Sequence, residues 1–177
     1  MLPGLMQTTP LMISGILTYA QQAHGAREIV SKLIDEPLWR YDYAGLGRRS
    51  AQLAHALQRL GVKPGDRVTS LAWNTHRHME LFHAVPGLGA VLHTANPRLF
   101  DEQIVYTINH AESSVLFFER NFQALVERIA PQLTTVRTFV MLSDPERTIP
   151  GDVGATSYEA LIAGEPERFD WPVFDEN

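Results

Sequence analysis

The chain has 177 residues, 45% hydrophobic and 20% charged, which is room for one folded domain and unlike a disordered or collagenous chain. Fifteen Lys+Arg against twenty Asp+Glu leave a net charge of −5. A mildly acidic chain without a basic stripe is a poor nucleic-acid binder, because phosphate neutralisation carries most of that affinity. The absence of cysteine excludes disulfides, thiolate metal sites and cysteine nucleophiles, and points to a reducing, cytoplasmic setting.

No segment reaches the roughly 18 apolar residues needed to cross a bilayer. The first twenty residues are apolar, but no Lys or Arg precedes Arg27 and Pro3 and Pro10 interrupt them, so a signal peptide is not expected. Residues 1–12, carrying Leu2, Leu5, Met6, Leu11 and Met12, read instead as an arm that packs on something, an association element. From Ile13 to Ala23 the spacing of Ile13, Leu17 and Ala20 predicts a helix, with Gly25 at its end. Glu28 to Leu33 and Trp39 to Tyr43 read as an antiparallel hairpin broken at Asp35-Glu36-Pro37. The clearest helix follows, with Leu46, Leu53, Ala54, Leu57 and Leu60 on one face, arginines on the other, and Gly61-Val62 as a Schellman stop.

The rhythm then changes to alternating strands and helices. Strands are predicted at Arg67 to Trp73, Gly89 to His93, Val115 to Phe118 and Arg137 to Leu142. Between them lie a helix capped by Asn74 with Met79, Phe82 and Val85 inward, a helix from Asp101 to Ala111 burying Ile104, Val105 and Ile108, and a third from Phe122 to Ile129. One short helix, Ser157 to Ala163, is expected in the polar, proline-rich remainder. The fold class is therefore α/β: a mostly parallel sheet of about four strands flanked by helices, preceded by a helix and a hairpin. The divisions are an arm (1–12), a helix, hairpin and amphipathic helix (13–61), βα repeats (62–143) and a linker-like tail (144–177).

Complete active-site motifs are missing. There is no G-x-x-x-x-G-K-[ST] and no G-x-S-x-G, and Gly87-Leu88-Gly89 precedes a strand with Leu92 where a dinucleotide fingerprint needs glycine. Of the seven histidines, His76 and His78 would project about 200° apart on a helix and cannot chelate one ion. His76 and His83 lack a carboxylate partner, so the histidines read as surface and boundary residues and no metal site is expected. Asp101-Glu102 suits a helix N-terminus better than acid–base work.

The run Trp73 to Glu80, followed by Ala84-Val85-Pro86-Gly87-Leu88-Gly89 and by His93-Thr94-Ala95-Asn96-Pro97-Arg98-Leu99, resembles AMP-forming acyl-CoA synthetases. Asp101 to Glu112, Gly61 to Val68 and Met1 to Ser14 extend the likeness, nearest to bacterial medium- and long-chain fatty-acid and methylmercaptopropionate ligases. The resemblance implies a two-step reaction using ATP, Mg²⁺ and CoA on a fatty acid, and the large N-terminal domain of an adenylate-forming enzyme. The family's phosphate loop, acidic adenine-and-magnesium motif, ribose-binding Asp and C-terminal Lys have no match here. The resemblance thus implies an N-terminal third, inactive alone, with no catalytic residue and no bound cofactor of its own. It places Thr94, Asn96 and Arg98 near the CoA entrance, although Asn96-Pro97 is also a turn initiator and Arg98 could simply pair with a carboxylate. Alternatives are a stand-alone α/β ligand-binding or oligomerisation module, and a peptide-synthetase adenylation domain or luciferase, against which the His93 to Leu99 signature counts.

Overall fold

The computed structural model describes residue 4 and residues 9–175, so most of the arm expected over residues 1–12 lies outside the described residues. Helix α1 (Ile13–His24) leads into β1 (Glu28–Ser31) and β2 (Trp39–Asp42), an antiparallel hairpin pairing Ile29 with Tyr41 and Ser31 with Trp39. Helix α2 (Tyr43–Arg59) starts where the Asp42 carboxylate accepts the Gly45 N–H at 2.7 Å. It stops in the expected Schellman motif: Val62 N–H bonds to Leu57 O, Gly61 N–H to Gln58 O, and Gly61 takes φ +85°, a conformation costly for any residue with a Cβ.

The remaining elements are β3 (Arg67–Leu71), α3 (His76–Gly87), β4 (Val91–Thr94), α4 (Asp101–His110), β5 (Val115–Phe118), α5 (Gln123–Ile129), β6 (Thr138–Met141), β7 (Thr156–Ser157) and α6 (Tyr158–Ile162). The five strands after the hairpin form one parallel sheet in the order β4-β3-β5-β6-β7. Four strands were expected; β7 is two residues long, too short to carry a period-two signal. Travelling from β3 to β4 moves one way along the sheet and every later step moves the other, so crossovers of one hand must put α3 opposite α4 and α5. They do. Val68, Phe117 and Val140 pack with Leu57, Leu81 and Val85, whereas Leu71, Phe118 and Met141 pack with Ile104, Ile108, Val126 and Ile129.

Several local expectations change. Thr75, not Asn74, occupies the N-cap of α3. Phe82 is 46% exposed, because the inward stripe of α3 is Arg77, Glu80, Leu81, Ala84 and Val85. Arg49, assigned to the polar face of α2, is drawn inside. Its Nε donates to Glu80 Oε1 (2.7 Å), and its two terminal nitrogens grip Glu159 at 2.9 and 3.0 Å. Arg77, only 2% exposed, donates to Glu159 (2.8 Å), Asp144 (2.9 Å) and the Leu142 carbonyl (3.0 Å). Tyr158 donates its hydroxyl to Glu80. Burial pushes the Glu80 carboxyl up despite Arg49; for Glu159, burial is outweighed by Arg49 and Arg77, which hold it down. After β6 the chain turns back: α6 joins this charge layer, and Phe169 and Trp171 lie on the α2–α3 face. A Cβ at Gly87 would sit 2.5 Å from the Trp171 ring, so only glycine admits this approach.

His76 and His78 are buried, not surface residues. His78 is satisfied by Trp73 O (3.0 Å) and Ser70 Oγ (2.9 Å), which fixes its proton on Nδ1. His76 docks the hairpin: its ring stacks on Trp39 (4.6 Å, 9°), meets Tyr41 edge-on, and its backbone N–H donates to Ser31 Oγ at 2.9 Å. Neither ring nitrogen has a hydrogen-bond partner. Burial first, then the nearby charges of Arg77 and Arg49, push its pKa down to about 2. The unfolded chain takes up a proton near 6.5 that the folded one refuses, so stability is full above 6.5 and falls as pH drops below it. His76→Phe keeps the stack and removes this term. In denaturant titrations the variant should gain on wild type by about 2 kcal/mol between pH 7 and 5; parallel pH profiles would contradict this role of His76.

Candidate functional site

Ligands of parallel sheets collect beyond the carboxyl ends of the strands, at the point where strand order reverses. Here the reversal lies between β3 and β5, since the chain leaves β3 toward β4 and leaves β5 toward β6. The segments emerging there, Trp73 to Thr75 and Glu119 to Phe122, meet across the reversal. Trp73 Nε1–H donates to Asn121 Oδ1 (3.2 Å), the Trp73 and Phe122 rings lie 5.3 Å apart, and Thr75 Oγ1–H donates to Glu119 Oε1 (3.2 Å).

Glu119 is 6% exposed. Burial pushes its carboxyl up to about 7, against the Thr75 hydroxyl and the Arg77 charge, with Glu36 adding repulsion. A carboxyl poised near neutrality at a switch point can accept and return a proton. The sequence reading missed it, because a lone acid after a strand looks like any solvated loop residue. The one available signal was its place directly after the all-apolar run Val115 to Phe118.

The structure places Thr94 as the last residue of β4 and Asn96 and Arg98 in the loop that follows, at the same end of the sheet and one strand from the reversal. All three are exposed. Asn96 Oδ1 accepts the Arg98 N–H at 3.0 Å, so Asn96 does act as a turn initiator. The Arg98 guanidinium makes no ion pair among the described residues, whereas Arg128 is held by Asp101 and Arg120 by Asp35. It is available to an anion. Among the described residues no three metal-ligating side chains converge, and no helix is long and apolar enough to cross a membrane.

Because burial raises the Glu119 pKa from 4.5 to about 7, the folded state favours its protonated form. Its stabilising contribution is complete below 4.5 and lost as pH rises to about 7. Glu119→Gln should therefore be more stable than wild type at pH 8, by about 3 kcal/mol at most, with the advantage vanishing near pH 4.5. Thermal melts at the two pH values check this; an equal effect at both would show that the carboxyl does not titrate in that window.

The family model for AMP-binding enzymes matches residues 18–166. The chain is 44% identical, over 98% of its length, to 3-methylmercaptopropionyl-CoA ligase of Ruegeria lacuscaerulensis, and 38% identical, again over 98%, to medium-chain-fatty-acid–CoA ligase of Ectopseudomonas oleovorans. It is 41% identical over 93% of its length to long-chain-fatty-acid–CoA ligase of Thermus thermophilus. It spans 30–32% of the length of these relatives. Among solved structures, the anthranilate–CoA ligase AuaEII in complex with anthranoyl-AMP superposes with a TM-score of 0.81 at 19% identity, over 94% of this chain and 30% of that one. Acetoacetyl-CoA synthetase from Streptomyces lividans gives 0.76 at 21% identity, over 88% of this chain and 25% of that one. The parallel sheet with its preceding hairpin is thus a fold these ligases share, and the chain belongs to the family of AMP-binding enzymes.

Proposed function

We propose that this chain is the N-terminal segment of an ATP-dependent fatty-acid–CoA ligase. The observation that carries this reading is its identity of 38–44% along nearly its whole length to three acyl-CoA ligases. In the complete enzyme a carboxylate oxygen attacks the α-phosphorus of ATP, the α–β phosphoanhydride bond breaks and pyrophosphate leaves. The CoA thiolate then attacks the acyl carbon, and the bond to AMP breaks. Both steps build negative charge that backbone donors, a lysine and Mg²⁺ can stabilise. No residue of this chain is assigned to the α-phosphate or to the metal; those groups belong to the polypeptide that follows. The segment supplies scaffold, homodimer contacts through residues 1–12, and a part of the CoA entrance at Thr94, Asn96 and Arg98, in a cytoplasmic enzyme.

The 177-residue chain alone should therefore show no ATP–pyrophosphate exchange with octanoate, while the complete enzyme does. Exchange by the short chain would remove the claim that its machinery lies elsewhere. Absence from both would favour a stand-alone binding or oligomerisation module.

Arg98 tests the CoA entrance. An exposed guanidinium without an ion pair among the described residues suits the phosphates of CoA, which the fatty acid lacks. Arg98→Ala in the complete enzyme should raise the KM for CoA about ten- to a hundredfold, leaving pyrophosphate exchange near wild type. A joint fall in both half-reactions and in Tm would make Arg98 a turn residue only.

A further inference from the structure

We propose that the free edge of β1, with the groove beside it, is a strand-docking site occupied in the complete enzyme by an extended apolar segment of the polypeptide beyond this chain. This rests on the reading of the chain as part of a longer ligase. The hairpin has two strands of four residues, a unit that is marginal by itself in water. Tyr43 N–H donates to Arg27 O (3.2 Å), which sets the phase of the ladder. With that phase and the observed register, Ile29–Tyr41 and Ser31–Trp39 are the hydrogen-bonded pairs, and the backbone groups of Glu28 and Val30 face the outer edge. Nothing on β1 blunts that edge: it carries no proline, and its one charge, Glu28, is tied across the hairpin to Arg40 at 2.9 Å.

Beside the edge lies a groove of about 300 Å³, walled by Ile29 and Val30 on one side and by Met79 and Phe82 of α3 on the other. Val30 is 49% and Phe82 46% exposed, side chains that a finished surface usually covers. The polar groups lining it are mostly spent: His78 is bonded at both nitrogens and Ser31 Oγ accepts the His76 N–H. What remains, besides the Asn74 amide and the two buried ring nitrogens of His76, is a row of backbone donors and acceptors above an apolar floor. That is the chemistry that recognises an added β-strand with alternate apolar side chains. A carboxylate or phosphate ligand would find no cation among the groove's lining residues.

The occupant follows from length. The chain spans 32% of its first two relatives, so about two thirds of such an enzyme lies outside it, tethered and at high effective concentration. A second copy could offer its own β1 edge, and the test separates the two.

Residue-resolved amide exchange on the complete enzyme, at two concentrations tenfold apart, decides the matter. Val30 N–H should be protected by at least about a hundredfold over an unstructured amide, equally at both concentrations. Phe82→Asp should lower that protection by about tenfold or more, while the hairpin's own bonded amides at Ile29 and Tyr41 stay protected. Val30 exchanging freely in wild type beside a protected Ile29 would overturn the proposal, whether or not the variant folds. Protection that grows with concentration would overturn it in favour of a second copy. Pyrophosphate exchange on the same wild-type sample keeps the readings apart: activity with a free Val30 discards only the docking site, and a protected Val30 without activity discards only the ligase reading.

Discussion

Two guanidiniums removed from water hold this fold together. Arg49 and Arg77 share the carboxylate of Glu159, and each has a further acid, Glu80 for Arg49 and Asp144 for Arg77. Burying ions costs several kcal/mol apiece, so the cluster is tolerable only because every charge is met with good geometry. The bidentate grip of Arg49 on Glu159 is the arrangement that a planar guanidinium favours and an ammonium cannot copy. The partners come from α2, α3, α6 and the turn after β6, and Glu36 reaches the same Arg77 from the hairpin loop at 3.5 Å. Segments more than a hundred residues apart are thereby fixed to one another. An apolar contact could slide; this cluster admits a single register.

The sheet and its helices were legible because their side chains repeat. Val115 to Phe118 was read with its observed limits, and α4, α5 and β6 were placed to within a residue or two, since apolar periodicity survives without tertiary context. The charge cluster was not legible in the same way. Arg49 falls three residues after Leu46 and four before Leu53, on the buried stripe itself, and reading it as solvated let residue type override position. Arg77 and Glu80 likewise lie on the inward face of α3, where two ionised groups are acceptable only beside the partners that Arg49 and α6 supply. Phe82 took the opposite error: an aromatic was assumed inside and lies beside an open groove.

The site divides along the same line. Thr94, Asn96 and Arg98 were reached through resemblance, and no spacing rule would have selected them. Their placement at the carboxyl end of β4 agrees with the general rule for parallel sheets, and that Arg98 has no ion pair among the described residues is a property that only the structure supplies. Glu119 shows the reverse case. Its importance is wholly a matter of burial at the β3–β5 reversal, and the same letter in an open loop would mean nothing.

His76 and Glu119 then act on stability with opposite signs, and their ranges overlap. From pH 6.5 downward the unfolded chain gains a proton at His76 that the folded chain refuses. Between 4.5 and about 7 the folded chain keeps a proton at Glu119 that the unfolded chain releases. Each contributes a slope of about 1.4 kcal/mol per pH unit, one rising and one falling. Between 4.5 and 6.5 the two cancel. A wild-type profile that is flat in this range is therefore compatible with two strongly perturbed groups. Removing either group exposes the slope of the other: without His76 stability should fall with rising pH, and without Glu119 it should rise.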